Sequence, residues 1–159
     1  KNPVVNLDGI RVENYFCPED NCEDHVVDVL KKAEKSIDFM TFSFTSNPIA
    51  NVLMKHNDAG RNDLGKEIKL RGVMEARQVS EHSRYDALLF QEIDVVKDAN
   101  KQSMHHKVFI VDKEVVITGS YNPTKGGNER NDENVLIIHD RNIAKMFTDE
   151  FERLYGEAT

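Results

Sequence analysis

The stretch Ser103–Asn122, SMHHKVFIVDKEVVITGSYN, constrains this chain more than any other. An apolar run reaches a short turn at Asp112-Lys113, and a second run returns over Glu114–Thr118. Two β-branched and aromatic runs across so short a break read as a buried β-hairpin. Yet this hairpin carries His105, Lys107, Ser120 and Asn122, polar groups that a plain hairpin does not need. Strand alternation puts His105, Lys107, Phe109 and Val111 on one face, and His106, Val108 and Ile110 on the other. An imidazole and an ammonium then stand side by side. His106 runs with aliphatics and reads as a structural histidine bonded to backbone. Adjacent histidines that point apart grip one metal ion poorly, so no metal site is expected here. Asp112 lies seven positions after His105, at the turn, and reads as a hydrogen-bonding group near the strand end. Gly119 permits a tight backbone, after which Ser120 and Asn122 present a hydroxyl and an amide where the strand runs out. A lysine, a serine and an asparagine converging there suit a phosphate, through charge plus directed hydrogen bonds.

Strand and helix patterns alternate around the hairpin. Strands are expected over Arg11–Phe16, Ser36–Phe44, Glu67–Glu75, Ile93–Val96 and Glu133–His139. Asp20-x-x-Glu23 reads as the start of a helix bearing Val26, Val29, Leu30 and Ala33. Asn47 is expected to cap a second helix, with Pro48 at its first position and Ile49, Val52, Leu53 and His56 on one face. A third helix is expected over Glu81–Glu92, and a last one, capped by Asp140, carries Ile143, Phe147, Phe151 and Leu154. Asp58–Gly65 and Asn122–Asn131 read as loops. No repeat or linker divides the chain. The expectation is one α/β domain over residues 1–159, a mixed, mostly parallel β-sheet with helices on both faces. Ligand sites in such sheets form at strand ends.

Composition bounds the rest. Charged residues are 31% and hydrophobic residues 39% of the 159, a globular balance. No apolar run approaches the ~20 residues of a membrane-spanning helix. The first residue is Lys1 rather than Met, which leaves room for a leader or anchor upstream. The net charge of -7 argues against non-specific nucleic-acid binding. Between Lys97 and Arg130, however, six basic residues outnumber four acidic ones. Cys17 and Cys22, with His25 close behind, admit free thiols, a local disulfide or part of a zinc site.

His105-x-Lys107-x4-Asp112-x6-Gly119-Ser120-x-Asn122 resembles the HKD signature of the phospholipase D superfamily. Glu133 in "NDENV" matches the family's downstream acidic position. The segments "FMTFSFTSNPIA", "RGVMEARQ" and "NERNDENVLIIHD" are similar to the small single-motif members, bacterial endonucleases among them, over Tyr15–Tyr155. The resemblance implies phosphodiester cleavage without metal or cofactor, at a site built from two motifs. One motif per chain then implies a homodimer with its site on a two-fold axis. His105, Lys107, Asp112 and Glu133 are carried over as the catalytic set, and Lys107, Ser120 and Asn122 as phosphate binders. One His105 attacks phosphorus to give a phosphohistidine, and the other protonates the leaving oxygen. Glu133 is expected to bond His105 and orient its ring. DNA is the first-choice substrate, RNA the next. A phospholipid head group is the alternative, and a non-catalytic nucleic-acid-binding module a third reading. Phe42, Phe44 and Tyr121 lie near the expected rim, the two phenylalanines reading as core. Arg77 and Arg130 are candidates for flanking phosphates or for plain solvated surface.

Overall fold

Alternating apolar side chains on both sides of the central strands require cover on both faces of a sheet. The computed structural model, which describes residues 3–58 and 68–159, shows that arrangement. The strands are β1 (Val4–Leu7), β2 (Ile10–Cys17), β3 (Ser36–Thr41), β4 (Lys69–Met74), β5 (Asp94–Lys97), β6 (Lys107–Val111), β7 (Val115–Gly119) and β8 (Glu133–His139). The helices are α1 (Cys22–Leu30), α2 (Asn47–Asn57), α3 (Tyr85–Phe90), α4 (Lys125–Glu129) and α5 (Arg141–Ala158). The loop expected at Asp58–Gly65 lies, apart from Asp58, outside the described residues, as does Glu67.

The eight strands form one sheet in the order β1-β2-β8-β7-β6-β3-β4-β5. The mixed α/β sheet is as expected, but its parallel majority is not. Among the described residues only β3–β4 and β4–β5 pair in parallel, while the remaining neighbours run antiparallel. The reason lies in the connections. Helical crossovers of adequate length join β3 to β4 and β4 to β5, whereas β6 and β7 are joined by three residues, which close only an antiparallel pair. Asp112 and Lys113 both adopt positive φ, 55° and 58°, a turn whose twist suits the flanking strands, and the Glu114 N–H closes it on the Val111 carbonyl at 2.9 Å.

On one face Ile37, Phe39, Phe109 and Val111 pack with Val26 and Leu30 of α1 and Ile49 and Leu53 of α2. On the other, Met40, Val73, Val108, Ile110 and Val116 pack with Ala144, Phe151 and Leu154 of α5. All six residues of β3 are buried, as befits a strand covered twice. Beneath α5, the Arg71 guanidinium bonds both oxygens of buried Asp38 at 2.9 and 3.1 Å and reaches Glu152 at 2.7 Å.

Several boundaries move for local reasons. Ser46, not Asn47, caps α2, its hydroxyl accepting from the Ile49 N–H at 3.2 Å. Asp20 does not cap α1; it accepts from the Phe16 N–H at 3.0 Å, and Asn21 takes the cap position in a left-handed conformation. The third helix begins only at Tyr85. The loop after the hairpin contains α4, capped by the Thr124 hydroxyl. Cys17 and Cys22 form a disulfide that ties the end of β2 to the start of α1, which removes the free-thiol and zinc readings. No span is long and apolar enough to cross a membrane as a helix among the described residues.

Candidate active site

The β6–β7 hairpin delivers the polar residues of the motif to one edge of the sheet. Lys107 opens β6 opposite Thr41, the last residue of β3, and the Phe42 N–H bonds the His106 carbonyl at 2.8 Å. Gly119 closes β7 beside Val135 of β8, so Ser120 and Glu133 emerge at the same end. Gly119 has φ 144°, and a Cβ there would strike the Asn134 carbonyl, which explains a glycine at this crossing.

His105 is exposed and Lys107 half-buried. The Lys107 ammonium donates to the His105 carbonyl at 2.7 Å and lies 3.1 Å from Nδ1. With Nε2 also only 3.5 Å away, the ammonium lies over the imidazole ring rather than in line with either nitrogen's lone pair. The Phe42 ring lies 4.3 Å from the imidazole centroid, and the ammonium 5.1 Å from the Phe42 centroid, within cation–π range. Burial lowers the Lys107 pKa from its ordinary value, and the negative charge of Glu133 works in the opposite direction.

Ser120 Oγ accepts the Asn134 N–H at 3.0 Å, which leaves its own O–H to donate outward. The amide oxygen of Asn122 and the hydroxyl of Thr41 are buried without a hydrogen-bond partner among the described residues. Glu133 accepts from Asn131 Nδ2 at 3.1 Å. The bond expected from Glu133 to His105 is not among those of the described residues; its link to the motif is the charge felt by Lys107. Phe16, Glu19, Ser120, Asp132, Glu133 and Asn134 line a cleft of about 410 Å³ at this edge.

Asp112 stands at the opposite end of β6, about 20 Å from His105 at ~3.3 Å per strand residue. Its carboxylate accepts the N–H groups of Glu34 (3.0 Å), Lys35 (2.7 Å) and Ser36 (2.9 Å), pinning the loop that enters β3. His106 faces α5 as alternation requires, but its partner is Glu150 Oε1 at 3.2 Å rather than backbone. The backbone-bonded histidine is His56, whose Nε2 lies 2.8 Å from the Leu30 carbonyl. No cluster of three or more His, Cys, Asp or Glu able to hold a metal occurs among the described residues.

Residues 26–155 match the family described as "Cardiolipin synthase, PLD-like domain". The chain belongs to the phospholipase D superfamily. It is 30% identical over 145 residues to a phospholipase D of Rickettsia prowazekii, covering 91% of this chain and 67% of that protein. Against the human mitochondrial cardiolipin hydrolase the identity is 33% over 129 residues, 80% of this chain and 48% of the other. The chain thus spans about two thirds of the rickettsial protein and about half of the human one. The solved structure of the phospholipase D family member Nuc from Salmonella typhimurium superposes with a TM-score of 0.84 at 25% identity, covering 94% of this chain and 97% of that one.

Two neighbours of this superfamily motif escape sequence reasoning. Phe42 reads as core, yet it is half-buried against His105, while Phe44 and Tyr121 are the buried ones. Glu75 is 2% exposed and accepts the Met104 N–H at 2.6 Å, one residue before His105. Alternation hints at Phe42, since the strand "FMTFSF" outruns its partner. Nothing in the sequence separates Glu75 from a solvated strand-end glutamate. Arg77 is committed internally, to Ser103 Oγ at 2.9 Å and the Lys101 carbonyl at 2.5 Å.

Proposed function

We propose that this chain, a phosphodiester hydrolase of the phospholipase D superfamily, is a metal-independent endonuclease whose site is shared by two copies. The observation that carries the reading is the grouping of His105, Lys107 and the Phe42 ring at an open sheet end. It offers a nucleophile, a cation for phosphoryl oxygens and an aromatic face for a base beside the phosphate. The pairing of an imidazole with an ammonium supports attack by the neutral ring. A His105 nitrogen attacks phosphorus, forming N–P as the P–O bond breaks. The second copy's protonated imidazole gives its proton to the departing oxygen. That imidazole then takes a proton from water, whose oxygen displaces histidine from phosphorus. Lys107, the outward Ser120 hydroxyl and Asn122 stabilise charge on the non-bridging oxygens. Asp112 serves the scaffold.

A phospholipid reading is favoured by a different observation. Glu19, Asp132 and Glu133 make the cleft beside Ser120 acidic, which repels a polyanion and suits a head group bearing a cation. The rickettsial relatives are named phospholipase D. One assay separates the two: plasmid, single-stranded DNA, RNA and phosphatidylcholine vesicles in EDTA, with His105→Ala as control. Nucleic-acid cleavage that the substitution abolishes supports the endonuclease. Head-group release alone transfers the site to lipid, and strict dependence on added metal defeats the scheme.

A further inference from the structure

Glu75 and Asp98 each stand one residue past the end of a strand. The last registered pair of β4 and β5 is Met74–Lys97, so the two acids are the next pair along. Strand alternation sets Glu75 on the side of Val73 and Asp98 on the side of Val96, both of which pack in the core under α5. Both carboxyls are buried, at 2% and 6% exposure. Like charges side by side on neighbouring strands repel, and burial strengthens the repulsion. The cation near Asp98, Arg153 of α5, is already bonded to Glu150 and to Glu157, each at 2.8 Å.

The two carboxyls differ in their partners. Both oxygens of Glu75 accept N–H groups, from Arg77 at 3.0 Å and from Met104 at 2.6 Å. Asp98 Oδ2 accepts the Asn100 N–H at 3.2 Å, but its Oδ1 is buried without a hydrogen-bond partner among the described residues. A bare buried oxygen is costly on a carboxylate and far less so on a neutral acid. Burial raises the Asp98 pKa against the Asn100 bond; Glu75 and Glu157 push the same way as burial, and Arg153 opposes.

These bonds hold the segment that carries His105. Asp98 fixes its start through Asn100, and Glu75 fixes its end through Met104, one residue before His105. Between them Arg77, its own N–H held by Glu75, donates to the Lys101 carbonyl and to Ser103 Oγ. We propose that Asp98 is a positioning residue that works as a neutral acid: its proton sits on Oδ1, Glu75 carries the single negative charge of the pair, and His105 keeps its place beside Lys107 and Phe42 while that holds. The inference rests on the His105 site proposed above and adds a proton-linked support behind it. Ionising Asp98 puts a second charge beside Glu75, parts the ends of β4 and β5 and shifts the Met104 anchor. Turnover then falls while substrate binding changes little. The stabilisation that the neutral form gives is complete below the ordinary aspartate value of 3.8 and is lost as pH rises through the raised one.

The test compares Asp98→Asn, which keeps an acceptor for the Asn100 N–H and mimics the neutral acid, with Asp98→Ala, which does neither. Thermal unfolding, kcat and KM are measured from about pH 5 to about pH 9, on whichever of plasmid DNA and phosphatidylcholine vesicles the parent cleaves, with His105→Ala alongside. Asp98→Asn should match the parent's kcat within about twofold at the acid end, exceed it at the alkaline end, and lose less Tm as pH rises. Asp98→Ala should lose kcat on the order of tenfold or more throughout, with KM within about twofold. If Asp98→Ala does not fold, the alkaline kcat of Asp98→Asn decides alone. Asp98→Asn as impaired as Asp98→Ala means that the charge itself is needed, and overturns the proposal. Variants that change Tm but keep the parent's kcat profile confine Asp98 to folding and overturn it as well. Both of those results leave the His105 site standing, whereas full turnover in His105→Ala defeats the site and this inference together.

Discussion

Replacing Asp112 tests whether the third letter of the motif belongs to chemistry or to the scaffold. Asp112→Ala deprives the N–H groups of Glu34, Lys35 and Ser36 of their acceptor. Hydrogen bonds to a charged group contribute about 1.5–3 kcal/mol each when shielded; solvent reaches this end of the sheet, so about 1 kcal/mol each is appropriate. Alanine must also hold φ 55°, which adds about 1 kcal/mol. The sum is about 4 kcal/mol, or a fall in Tm of about 12 °C for a domain of this size. Asp112→Asn keeps one acceptor oxygen and tolerates the left-handed conformation, so it should cost about 1–2 kcal/mol. Thermal and urea unfolding followed by circular dichroism measure both. Well below Tm, kcat per folded molecule should stay within about threefold of the parent. A loss of ~10³ in kcat with unchanged stability would place the carboxylate in the reaction and refute this reasoning.

Two further outcomes follow from the same geometry. Glu75→Gln places an amide donor against the Met104 or Arg77 N–H, both now bonded to carboxylate. It should destabilise by about 2 kcal/mol and lower kcat with little change in KM, because the segment bearing His105 is held by that bond; an unchanged kcat beside the stability loss would confine Glu75 to folding. Glu133→Gln removes the charge that helps Lys107 keep its proton against burial. The alkaline limb of the kcat/KM profile should therefore move to lower pH, and a limb that stays put or moves up would separate Glu133 from Lys107.

The motif hairpin, β8 and the two-sided core were legible in the sequence because each rests on a periodicity that burial enforces. Val108 and Phe109 do face opposite cores. Helix starts were less legible because several short polar residues compete for one cap. Ser46 and Asn47 differ by one position, and the hydroxyl that reached Ile49 decided. The helix over Lys125–Glu129 escaped because its two glycines disfavour helix, and only the Thr124 cap and the fold around it hold the turn. Strand direction was misjudged since the balance of parallel pairs depends on which neighbours meet, and β2 meets β8 across more than a hundred residues. At the site, residue types and spacing located His105, Lys107 and Ser120 at one sheet end, and the family resemblance added Glu133. They did not reveal Glu75, whose role arises from a tertiary approach.

The separation of Asp112 from His105 along a single strand has a practical side. The five-residue strand β6 has the proposed reactive pair at one rim and the Asp112 anchor just past its other end. Variation that tightens or loosens the anchoring rim can therefore accumulate with little effect on turnover. Heat tolerance in such a chain is adjustable at the 112–114 turn, leaving the proposed phosphate end to be selected for substrate alone.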